Sequence, residues 1–139
     1  MARVTRPGGV VAACMWDVPG GGMTMLSTFW RAVRELNPDA QGEQARVGVR
    51  DGEIAELLDR AGLEDVQAGT LVSGAHYEDF DDFWQPFTFA VGPAGNHLRS
   101  MAPEQQDAVR EECRRLLEDP AGPFELEARA WYARGTVPG

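Results

Sequence analysis

The segment Val10-Val-Ala-Ala-Cys-Met-Trp16 constrains this chain more than any other. It is an unbroken apolar run, too short for a lone helix, with breakers on both sides: Arg6-Pro-Gly-Gly9 before it and Asp17-Val-Pro-Gly-Gly-Gly22 after it. Such a run reads as a strand buried on both faces, the kind found inside parallel sheets.

Helical periodicity follows at once. Met23, Leu26, Phe29, Trp30, Val33 and Leu36 recur at three- and four-residue steps, which predicts an amphipathic helix ending near Asn37-Pro38. Residues 38–50 read as polar and irregular. Asp51 is then placed to cap a second helix, whose Ile54, Leu57, Leu58 and Ala61 form one stripe before Gly62 stops it. Asp65 to Tyr77 carries Val66, Ala68, Leu71 and Val72 and predicts a second strand, kinked at Gly69 or Gly74.

The chain's most aromatic stretch comes next. Phe80, Phe83, Trp84 and Phe87 share one face of a short helix that Pro86 and Gly92-Pro93 disturb or end. A third long helix starts with Pro103 as its first residue, turns Ala108, Val109, Cys113, Leu116 and Leu117 inward, and stops before Pro120. Phe124, Leu126, Ala128 and Ala130 then alternate with Glu125, Glu127 and Arg129, the mark of a strand with one wetter face.

The order is strand, helix, helix, strand, aromatic helix, helix, strand, in one domain spanning residues 1–139, since no linker or repeat divides it. With 43% hydrophobic and 25% charged residues the composition is that of a folded globular chain rather than a disordered one. The net charge of −9, with no basic patch, argues against nucleic acid as a partner. No run approaches the roughly 20 apolar residues of a membrane span, and no signal-peptide layout opens the chain, so a cytoplasmic location is expected. Cys14 and Cys113 lack CxxC spacing and histidine neighbours, and both read as buried, reduced thiols rather than zinc ligands.

Several residues have a functional and an ordinary reading. Trp16 ends a predicted strand, where open α/β sheets place their ligands, or it packs beneath the following helix. Trp30, Phe83, Trp84 and Phe87 could wall an apolar cavity for a flat organic substrate, and core packing explains the same spacing. His76 is a candidate acid/base group or a solvent-exposed histidine at a strand end. Asp17 would hold a substrate hydroxyl or cap its own turn. The acidic residues from Glu78 to Asp82 read as the wet face and N-terminal charge of a helix rather than a metal cluster. His97, in an irregular Gly-Asn context, carries no assigned role.

From Thr5 to Gly135 the chain resembles the last part of a class I S-adenosylmethionine-dependent methyltransferase of the ubiquinone-biosynthesis, methyltransferase type 11-like kind. The resemblance rests on the Arg6-Pro-Gly-Gly9 turn, Trp16-Asp17 at a strand end, and Ala61-Gly-Leu63 before a strand. It rests also on Phe80-Asp-Asp-Phe-Trp-Gln-Pro-Phe87 and on the ending Glu127-Ala-Arg-Ala-Trp-Tyr-Ala-Arg-Gly135. It implies an α/β or α+β fold, the C-terminal half of a Rossmann-like methyltransferase. A small mixed sheet of three strands, the last running antiparallel between the other two, would carry about four helices.

The family's cofactor is S-adenosylmethionine, held by a glycine-rich turn after the first strand and an acidic residue ending the second. Neither matches anything here. Gly20-Gly-Gly22 lacks the GxGxxG spacing and an acidic partner. Met1-Ala-Arg-Val resembles the interior of the family's preceding helix, so the frame is expected to be a truncated one, or else a genuine short protein. The implied function is a methyltransferase-related chain, inactive alone and without a cofactor of its own. The alternative is a non-catalytic module binding a small apolar ligand or a partner chain. An unpaired edge at Val10 to Trp16 predicts a homodimer, joined edge to edge or through exposed faces.

Overall fold

The computed structural model describes residues 1–42 and 47–139. The fold is α+β. Three strands, β1 (Val10–Trp16), β2 (Glu64–Tyr77) and β3 (Phe124–Thr136), form one sheet in the order β1-β3-β2, with β3 antiparallel to its neighbours. Five α-helices lie among the described residues: α1 (Thr24–Leu36), α2 (Glu53–Arg60), α3 (Phe80–Thr88), α4 (Gly92–Ser100) and α5 (Pro103–Leu116). The expected strand order is the observed one, but the sheet expected to be mixed is antiparallel, because β3 lies between β1 and β2 and keeps them from pairing with each other; the helix count exceeds the expected four by α4. The irregular stretch expected at 38–50 lies partly outside the described residues.

The chain divides into two compact units. The first comprises Met1–Met23, the described residues of 45–73, and Arg129–Gly139. Its β1 and β3 pair in register from Val10↔Thr136 to Trp16↔Ala130. Helix α2 sets Ile54 and Leu58 against Val11, Ala13, Met15, Leu63 and Ala133.

This packing corrects the reading of β1. Val11 is buried, whereas Val10, Ala12, Cys14 and Trp16 are exposed, so β1 alternates instead of being covered on both faces. Cys14 is accordingly an exposed thiol, not a buried one. The reason is that the Val11, Ala13 and Met15 side of the strand packs on α2, while the opposite side stays open to solvent.

Gly62 and Gly69 shape the α2 end and the β2 strand of this unit. Helix α2 ends at Gly62, whose positive φ of 77° lets Leu63 N–H reach Leu58 O and Gly62 N–H reach Asp59 O, a Schellman closure. Its start corrects the expected Asp51 cap: the N-cap is Gly52, without a side-chain bond, and Glu53 instead accepts from the amides of Gly48 and Arg50. At Gly69, within β2, a Cβ would lie 2.9 Å from the Tyr132 ring. That glycine admits a cross-strand aromatic, and β2 continues through it and through Gly74.

The second unit comprises the described residues of 24–44 and Gly74–Ala128. Helix α1 packs against α5 and α4, and α3 packs against α4. Their shared core holds Phe29, Trp30, Val33, Phe80, Phe83, Trp84, Phe87, Leu98, Val109 and Cys113. Asp79 caps α3 by accepting the Asp82 amide at 2.9 Å. Pro86 sits inside α3 without ending it; the helix runs on to Thr88, and Ala90 takes a positive φ of 54° just beyond. Gly92-Pro93 starts α4 rather than terminating α3, with Pro93 in the first turn where its missing N–H costs nothing.

Candidate functional site

In the first unit, the end of β1 closes on itself. Asp17 is only 4% exposed, and its Oδ1 accepts the Gly20 amide at 2.9 Å. Its Oδ2 accepts from Arg129 Nε at 2.9 Å and from Arg129 Nη2, a bidentate pair. Backbone bonds complete the node: Gly22 N–H to Asp17 O, Asp17 N–H to Arg129 O, and Arg129 N–H to Gly22 O.

Gly20 and Gly22 are required by this packing. A Cβ at Gly20 would overlap the Asp17 carboxylate, and one at Gly22 would lie 2.9 Å from Asp17 Cβ and 3.0 Å from Arg129 Cβ. The amides of Val18, Gly20, Gly21 and Gly22 are all spent inside the turn. An anion cradle needs such amides free and pointing outward, so this triglycine turn is a packing device. Asp17 serves as the turn cap, the ordinary one of its two readings. Trp16, one residue earlier, is 42% exposed on the open side of β1.

In the second unit, α1 and α3 bring Trp30, Phe83, Trp84 and Phe87 together around Phe29. The Phe29 ring stacks on Phe87 at 4.6 Å and meets Trp30 edge-on at 5.3 Å. Phe83 and Trp84 each lie within 6 Å of Phe87. All four are buried, and ring-to-ring contact of this kind adds about 0.5–1.5 kcal/mol per pair beyond burial. Trp84 also borders an open groove of about 540 Å³, lined with Glu78, Asp79, Asp81, Asp82 and Arg110. Arg110 pairs with Asp81 there.

His76 lies on β2 with an exposed side chain. Its Nε2 is 3.4 Å from Glu78 and its Nδ1 3.9 Å from Glu125. Tyr77, next to it, stacks on Phe124 at 5.2 Å; burial, with the Asp82 carboxylate second, holds its phenol above the usual range. Cys113 is buried, and that burial, reinforced by Glu112, pushes its thiol up to about 12. Among the described residues no three His, Cys, Asp or Glu side chains converge as metal ligands would.

His97 is what sequence reasoning missed. It lies on α4, not in an irregular segment, and its ring is 5.2 Å from that of Trp30. Trp30 Nε1 and His97 Nε2 are both buried without a hydrogen-bond partner. The available signal was Pro93 as a first helical residue followed by Ala94, Leu98 and Met101 at helical steps. Gly92, Gly95 and Asn96 masked it, because their low helix propensity argues for a loop.

No protein-family model matches this chain, and no curated protein matches it.

Proposed function

We propose that the chain is the substrate-side part of a class I S-adenosylmethionine-dependent methyltransferase fold and is catalytically silent alone. The carrying observation is the sheet order: the terminal strand β3 is inserted, antiparallel, between β1 and β2. That is the order the resemblance implies for the end of such an enzyme. The Arg6-to-Gly9 turn adds support, with Gly8 at a positive φ of 70° and its amide bonded to Val137 O, tying the start of β1 to the end of β3.

Methyl transfer from a sulfonium asks the protein to hold the donor, align the nucleophile and exclude water. A donor site would have to come from residues other than the triglycine turn, whose amides are consumed. Isothermal titration with S-adenosylmethionine should therefore give no binding heat for this chain. An extended chain carrying the in-frame codons upstream of Met1, if they encode a glycine-rich turn, should bind it. Micromolar binding by the 139-residue chain, or an upstream frame without such a turn, would overturn the reading.

One observation favours a second, non-catalytic reading. The β1 edge is seven residues without charge or proline, and its first residue, Val10, is 60% exposed. Unpaired, uncharged edges template strand addition. On this reading two copies pair along β1, leaving no unmatched charge between them. Sedimentation should show a dimer that Val10→Lys converts to monomer; a monomeric parent chain would dispose of it.

A further inference from the structure

Backbone geometry decides which residues of β1 face its free edge. Val137 N–H donates to Gly9 O at 2.9 Å and Asp17 N–H to Arg129 O at 3.0 Å, at the two ends of the ladder that runs from Val10↔Thr136 to Trp16↔Ala130. Hydrogen bonding alternates residue by residue along an antiparallel strand, so the odd-numbered positions from Gly9 to Asp17 turn their N–H and C=O groups toward β3. Val10, Ala12, Cys14 and Trp16 turn theirs outward, and the side chains of the same four residues stand exposed on the open face.

We infer that β1 pairs with β1 of a second copy about a two-fold axis through Ala13, in the register Val10↔Trp16 and Ala12↔Cys14. The inference rests on the reading of β1 as the edge where two copies meet, and it fixes how they meet. A two-fold axis that joins antiparallel copies of one strand stands perpendicular to the sheet and leaves every side chain on its own face. Opposed residues must therefore share a face, and the axis must fall on a residue. Centring on Ala12 or Cys14 leaves part of the strand unmatched; centring on Ala13 matches all of Val10–Trp16.

In that register each outward N–H of β1 meets an outward carbonyl of the partner. Trp16 O already accepts from Val18 N–H and has a second lone pair for the bond. Val10, 60% exposed, comes to lie opposite the partner's Trp16, 42% exposed, a β-branched residue against an aromatic. The net charge of −9 does not oppose this seam, because β1 carries no charged side chain. The ends brought together are the Arg6 turn of one copy and the Asp17–Arg129 pair of the other, which is neutral as a unit. The open faces of the two sheets then run on into each other, with α2 of each copy on the opposite side.

Isotope-filtered NMR on an equimolar mixture of labelled and unlabelled chain should show contacts between the Val10 methyls and the Trp16 indole. Within one strand those residues stand about 20 Å apart, so such a contact can only cross between copies. Disulfide trapping with oxidised glutathione reads the register independently. Ala12→Cys places its thiol opposite the partner's Cys14, with Cα atoms about 5.5 Å apart, and should give a covalent dimer. In the parent chain the two Cys14 residues lie on a diagonal of roughly 7–8 Å and should stay reduced. The double variant Ala12→Cys/Cys14→Ala should not crosslink either; an unchanged melting temperature shows that both variants are folded. A parent chain that sediments as a monomer would overturn the edge reading and the register together. A dimer without the Val10–Trp16 contact, or one in which the parent chain or the double variant crosslinks, would overturn the register alone.

Discussion

Arg129 reaches Asp17 across 112 positions of sequence and meets its carboxylate with two guanidinium nitrogens. The two partners are unequal: Asp17 is buried, while the Arg129 side chain is 39% exposed and lies over Trp131. Removing the exposed partner leaves a buried charge unpaired; removing the buried one leaves a cation that water can still solvate.

Arg129→Met should therefore cost more than Asp17→Asn, which keeps an acceptor for the Gly20 amide. We expect about 2–4 kcal/mol for the arginine variant and about 1–2 kcal/mol for the asparagine variant. Urea denaturation of both will show whether the order holds.

The glycines separate in the same way. Gly20→Ala drives a methyl into the Asp17 carboxylate and should destabilise by about 2 kcal/mol or more. Gly74→Ala meets nothing within 4 Å and has no positive φ, so it should be neutral or stabilising by up to about 1 kcal/mol. Melting temperatures of the two variants should move in different directions or by plainly different amounts.

The cysteines should react at very different rates. Cys14 is exposed and should be alkylated in the native state; Cys113 should be protected until the chain unfolds. Mass spectrometry after a brief iodoacetamide pulse should show one modification, located at Cys14.

Cys113 also gives the alkaline limb of stability a definite sign. In the unfolded chain its thiol loses a proton near about 8.5, and in the fold only near about 12. Between those values the unfolded state binds fewer protons, so stability falls as pH rises. Tyr77, raised by burial, adds to the fall at its upper end. Cys113→Ala should flatten the decline when denaturation midpoints are compared between neutral pH and pH values above the unfolded thiol's range.

The aromatic core offers the largest single effects. Phe83→Ala should cost about 3–5 kcal/mol, since the ring is fully buried among Tyr77, Phe80, Phe87 and Phe124. Phe89→Ala, at an exposed ring, should stay within about 0.5 kcal/mol of the parent chain. Thermal unfolding of both checks the contrast.

Much of the architecture was legible because periodicity is a local property. The stripe Phe29, Trp30 and Val33 in α1, Val109 and Cys113 in α5, and the start of α5 at Pro103 all follow from residue spacing alone. The alternation of β3 was likewise visible in Phe124 to Arg129. The strand order was readable only through the resemblance, because nothing in a strand's own pattern names its neighbours.

Tertiary structure decided the rest. Val10 to Trp16 declares itself apolar, but which side is covered depends on where α2 lies, and α2 packs on one side. Gly20, Gly22 and Gly69 announce only permissive backbone; that the first two make room for Asp17 and Arg129, and the third for Tyr132, depends on residues from distant parts of the chain. His97 drew no attention beside Gly95 and Asn96, and gained its place next to Trp30 only when α4 packed on α1. Local sequence settles which elements form and which stripe each must bury; what meets that stripe is a long-range choice made by packing.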